Sequence, residues 1–75
     1  MNKAQTALRF VRDFAARGAS ATDVHNAFFG NGGKFGELFP TRAEREAFFE
    51  TPEYQQIKQI RLSLRNSESA TSTAQ

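Results

Sequence analysis

Cysteine and tryptophan are absent from the 75 residues, histidine and tyrosine occur once each, and proline occurs twice. Without cysteine there is no disulfide framework and no thiolate metal site, and nothing requires an oxidising compartment. No run of apolar residues approaches the ~20 needed to cross a bilayer, and Met1 to Thr6 is polar with no apolar segment behind it. The expectation is a soluble, cytoplasmic chain with no membrane partner. Net charge is also scarce: ten Lys/Arg against eight Asp/Glu leave +2. That falls short of the dense positive field of a dedicated nucleic-acid coat, although it leaves a nucleic-acid partner open.

What the chain has in excess is phenylalanine, eight in all, at positions 10, 14, 28, 29, 35, 39, 48 and 49. A domain of this size buries only about 60% of its unfolded surface, so large rings are an economical way to fill a small core. From Phe28 to Pro40, four phenylalanines are interleaved with four of the chain's five glycines. This is no polar flexible linker, and it reads as an ordered connector whose Phe35, Leu38 and Phe39 turn inward. The i, i+3, i+4 spacing of those three residues is compatible with one helical turn inside it.

The rest of the chain reads as helix. Ala7, Leu8, Phe10, Val11, Phe14 and Ala15 recur at helical spacing over residues 3–17, and Gly18 is a natural left-handed stop. Ser20 and Asp23 form an approximate capping box for a short second helix over 20–29, with Val24 and Phe28 inward. Thr41 with Glu44 caps a third over 41–50. Thr51-Pro52 ends that helix and starts a fourth over 52–65, with one kinked helix as the alternative. Ile57, Ile60 and Leu64 make the fourth helix's apolar arc, and Lys58, Arg61 and Arg65 form a basic stripe on its flank. Residues 66–75 carry no large apolar side chain and are expected to be a disordered tail. The expected architecture is therefore all-α: a single four-helix domain over 1–65 with an ordered Gly/Phe connector between helices two and three.

No chemical motif is complete. In Gly30-Asn31-Gly32-Gly33-Lys34, Phe35 follows the lysine where a phosphate-binding P-loop needs Ser or Thr, and Phe28 replaces its first glycine. Phe35 also stands where the third glycine of a dinucleotide fingerprint belongs, and no strand precedes Gly30. His25 has no nitrogen or sulfur co-ligand for a structural zinc, and Ser20 and Thr22 sit where helical geometry turns them away from it. Glu44, Glu46, Glu50 and Glu53 crowd one junction, but Arg42 and Arg45 among them point to a solvated, ion-paired face. No enzyme activity, cofactor, metal or small-molecule substrate is expected.

Two binding readings remain. In the first, the chain is a non-enzymatic binding or regulatory module acting through protein contacts, with a partner protein or as a homodimer. The phenylalanine surplus then serves a surface as well as a core. Its candidate contacts are Phe35, Leu38, Phe48 or Phe49, and Leu62, which falls nearly opposite the fourth helix's apolar arc. In the second, residues 8–29 have the helix, glycine turn, helix form of a DNA-reading helix-turn-helix. Ser20, Thr22, His25 and Asn26 would then meet bases, and Arg9, Arg12, Arg17, Lys34, Lys58, Arg61 and Arg65 are candidate phosphate contacts. Against that reading, the second helix carries Asp23 and no Lys or Arg, and Phe14 is large for a close helix crossing.

Overall fold

The computed structural model describes the backbone of residues 2–73 and the side chains through Ser67. It is all-α, with five helices among the described residues: α1 (Lys3–Ala16), α2 (Ala21–Phe29), α3 (Lys34–Leu38), α4 (Arg42–Phe49) and α5 (Pro52–Thr73). The four expected helices are present, and α3 is a short fifth element formed by the glycine-containing connector.

Local chemistry sets most of the boundaries. Asp23 N–H donates to Ser20 Oγ at 3.1 Å and Ser20 N–H to Asp23 Oδ2 at 3.5 Å, a reciprocal cap that starts α2. Glu44 N–H donates to Thr41 Oγ1 at 3.2 Å, and the Thr41 hydroxyl donates to the Glu44 carboxylate at 3.0 Å. Thr51 uses its hydroxyl twice, donating to the Phe48 carbonyl at 2.6 Å and accepting from Tyr54 N–H at 3.3 Å. That double use closes α4 and opens α5 at the corner, so the two are separate helices rather than one kinked rod. Gly18 ends α1 at φ 89°, a conformation that L side chains resist. A second capping box, Asn2 with Gln5, starts α1.

The last helix departs from expectation. It continues to Thr73, well past Arg65. The segment beyond Arg65 has no large apolar groups, which argues against core packing, yet it also has no glycine or proline to stop a helical backbone. The last two residues of the expected disordered tail, 74 and 75, lie outside the described residues.

The core is Ala4, Ala7, Leu8 and Val11 of α1, Val24 and Phe28 of α2, Phe39, Phe48 of α4 and Ile57 of α5. Phe39 stacks on Phe48 with ring centroids 4.5 Å apart, and Phe28, Phe35 and Tyr54 surround that pair at 5.4–6.2 Å from Phe48. Offset and edge-on aromatic pairs add about 0.5–1.5 kcal/mol each beyond the area they bury, which suits a core with few residues to spend. Arg45 links α4 to the connector: its Nε donates to the Phe39 carbonyl at 2.7 Å, and its guanidinium carbon lies 5.4 Å from the centre of the Phe35 ring.

Candidate functional site

Because Val24 and Phe28 point into the core, α2 presents Ala21, Thr22 and His25 along one side. Because Ile57 is fully buried and Ile60 and Leu64 pack beside it, the 100° advance per residue puts Lys58, Arg61, Leu62 and Arg65 on one flank of α5. The two helices pack against each other, and these two sides line an open groove of about 430 Å³.

Arg61 is the fixed point of the groove. Its Nη2 lies 2.8 Å from His25 Nδ1, and its guanidinium carbon lies 5.1 Å from the centre of the Phe29 ring. An arginine only donates, so Nδ1 accepts and the imidazole carries its proton on Nε2. His25 and Phe29 are themselves in contact, ring centroids 5.4 Å apart, so α2 provides a two-part cradle for the guanidinium. Lys58 lies over the Tyr54 ring at 5.3 Å. The ion pairs among the described residues are Lys3–Glu44, Lys34–Glu37 and Arg42–Glu46, and none of them uses a groove cation.

The groove unites parts of both sets of sequence candidates. Thr22, His25, Lys58, Arg61 and Arg65 of the nucleic-acid set line it together with Leu62 of the protein-contact set. Arg9 and Arg12 are not there. They lie on the other flank of α5, in depressions lined with Gln5, Gln55, Gln56 and Gln59, where Arg12 Nη2 donates to Gln56 Oε1 at 2.7 Å. Arg17 caps the end of α1, Lys34 pairs with Glu37 at 3.6 Å, Ser20 is spent on its cap, and Asn26 is exposed outside the groove lining. No continuous track joins these groups.

Of the remaining apolar candidates, Phe48 is 2% exposed and belongs to the core, which corrects its place among contact residues. Two adjacent positions on a helix differ by 100°, and it is Phe49, 40% exposed, that faces water. Phe35 and Leu38 are half-buried, Phe35 lying within 6 Å of the rings of Phe28, Phe29, Phe39, Phe48 and Phe49. Leu62, 51% exposed, is the other large apolar side chain open to solvent among the described residues.

The carboxylates at the α4–α5 junction serve elsewhere. Glu44 accepts from Lys3 Nζ at 2.6 Å and from the Thr41 hydroxyl, and these two hydrogen bonds hold its carboxyl below its ordinary ionisation range. Glu46 pairs with Arg42 Nε at 3.1 Å. Among the described residues no group of three or more His, Asp or Glu side chains is placed to hold a metal ion, and no helix is long and apolar enough to cross a membrane.

The meeting of His25 with Arg61 is not legible in the sequence, because it depends on how α2 packs on α5 across 36 residues of sequence. One signal is readable in the sequence of α5: Leu62 shares its projected flank with Lys58 and Arg65. Comparison with known protein families, curated proteins and solved structures found no match for this chain.

Proposed function

We propose that this chain is a non-enzymatic binding module that engages an acidic, apolar-bearing segment of a partner protein along the groove between α2 and α5. The observation that carries this reading is the composition of the groove: three cations, Lys58, Arg61 and Arg65, around the exposed Leu62. Cations steer and orient an acidic segment, while an apolar anchor beside them supplies area that leaves water on binding. Arg61 is already positioned by His25 and Phe29, so ordering it costs little of the binding free energy.

Nucleic acid is the second reading, favoured by Thr22 and His25 of α2 standing beside the same three cations. It is the weaker one. A phosphate backbone gains little from Leu62, and Arg9 and Arg12 lie on the far flank of α5, where they cannot extend the basic track.

Backbone amide shifts separate the two. Titration with a short peptide of alternating Glu and Leu is expected to move resonances of residues 21–25 and 58–65 and leave Arg9 and Arg12 still. Duplex DNA is expected to give weak shifts spread over all the arginines and abolished by moderate salt. Saturable, groove-confined shifts with DNA and none with the peptide would reverse the assignment.

A further inference from the structure

We infer that the groove recognises a phosphomonoester on its partner segment, with Arg61 as the principal contact; this rests on the groove being the partner-binding surface. Charge and donor count favour such a group. Lys58, Arg61 and Arg65 stand at i, i+3 and i+7 on α5, so their backbones are separated by about 4.5 and 6 Å along the axis. Side chains of that length can reach one point from such spacings, Lys58 by leaving the Tyr54 ring over which it lies. A carboxylate brings one negative charge and two acceptor oxygens. A phosphomonoester brings about −1.5 to −2 and three strong acceptor oxygens, which fits a fork with a cation on either side.

Arg61 is oriented for this role. A guanidinium has five N–H donors, and the His25 contact takes one of them, at Nη2. The guanidinium carbon lies over the Phe29 ring, a contact that uses none of the N–H donors as a hydrogen bond to an oxygen or nitrogen acceptor. The remaining donors suit two parallel hydrogen bonds to one oxyanion, the geometry in which arginine outperforms lysine. Thr22, exposed on the α2 side of the groove, adds a hydroxyl. Leu62 then meets an apolar residue next to the phosphorylated one, and about 430 Å³ is space for a phosphorylated side chain and one neighbour.

A nucleic-acid phosphate is the poorer fit. Phosphodiesters carry one charge each and come in a row, whereas the cations here are gathered about one place and the other arginines lie elsewhere.

The test is calorimetric affinity of the full chain for four probes: a hexapeptide Ala-Ala-phosphoserine-Leu-Ala-Ala, its unphosphorylated form, its Glu form, and a 5′-phosphorylated oligothymidylate. Amide shifts locate each binding site. The phosphopeptide is expected to bind at residues 21–25 and 58–65 at least about tenfold more tightly than the Glu form, a difference of about 1.4 kcal/mol. Arg61→Gln should erase that preference and Arg61→Lys restore part of it. Because Arg61 also contacts α2, Arg65→Gln, at an exposed position, is the second variant, expected to weaken phosphopeptide binding severalfold with an unchanged unfolding midpoint. Equal affinity for the phosphopeptide and the Glu form at the groove overturns the phosphate inference and leaves the groove reading standing. Groove shifts from neither peptide overturn both. Tighter binding of the oligothymidylate at the same residues overturns the assignment to a peptide.

Discussion

Phe48 and Phe49 are adjacent and chemically identical, yet one closes the core and the other meets water. Phe48 is 2% exposed and touches the rings of Phe28, Phe35, Phe39, Phe49 and Tyr54; Phe49 is 40% exposed. Phe48→Ala removes a whole ring from a cavity that cannot collapse without disturbing its neighbours, so the expected cost is about 3–5 kcal/mol. Phe49→Ala loses only the buried three-fifths of a transfer free energy of about 1.5–3 kcal/mol and leaves a dent open to solvent, so about 1–2 kcal/mol is expected. At about 0.05–0.15 kcal/mol per residue, a chain of this length has about 4–11 kcal/mol in total. The first substitution therefore removes a large share of the stability, or all of it, and the second leaves a folded protein. Urea unfolding followed by far-ultraviolet circular dichroism reads both. Equal costs for the two, or a cost below ~1 kcal/mol for Phe48→Ala, would refute the assignment of Phe48 to the core.

Three further outcomes follow from local geometry. Arg45→Met removes the hydrogen bond to the Phe39 carbonyl and the cation over Phe35; it should cost about 1–2 kcal/mol and speed amide exchange over residues 35–39 selectively. Gly33→Ala would set its new methyl 2.6 Å from the Phe28 carbonyl oxygen and should destabilise, whereas at Gly36, inside α3, the nearest group is the Arg45 guanidinium at 4.0 Å, an ordinary van der Waals contact. Gly36→Ala should therefore raise the thermal midpoint, by up to about 1 kcal/mol in stability from helix propensity. Glu44 has a carboxyl whose folded value lies below its ordinary 4.5, chiefly through the Lys3 hydrogen bond and then through Thr41. Its contribution is thus present above that ordinary value and lost as pH falls through the lower folded one. Glu44→Gln should flatten the acid limb of the urea midpoint plotted against pH, and an unchanged limb would show that the carboxylate contributes nothing.

What could be read in advance was what is local. The caps at Ser20 and Thr41, the stop at Gly18 and the corner at Thr51-Pro52 each depend on residues within a turn of one another, and each lies where the side-chain chemistry puts it. The apolar faces of the helices followed from spacing alone. Two things did not follow. The choice between Phe48 and Phe49 depends on the direction from which α5 approaches α4, a tertiary fact. The groove depends on α2 lying along α5, and the chain between them, with its glycines and the short α3, does not announce where it delivers the next helix. The candidates for a protein partner and for nucleic acid overlap because α5 carries its cations and Leu62 on one side, a pattern whose meaning appears only once α2 supplies the opposite wall. α5 runs past Arg65 for a third reason: lack of apolar side chains limits packing, not helical backbone.

Recognition along the groove requires Arg61 to be held in place by His25 and Phe29 before any partner arrives. The direct measurement is ¹⁵N relaxation of the Arg61 Nε–Hε group, with long-range ¹⁵N correlations of the His25 ring, in the unliganded chain near neutral pH. The expected result is an Arg61 side chain nearly as rigid as its own backbone, beside an imidazole protonated on Nε2 and bare at Nδ1. An Arg61 side chain as mobile as those of Arg9 and Arg17, or a His25 proton on Nδ1, would contradict it.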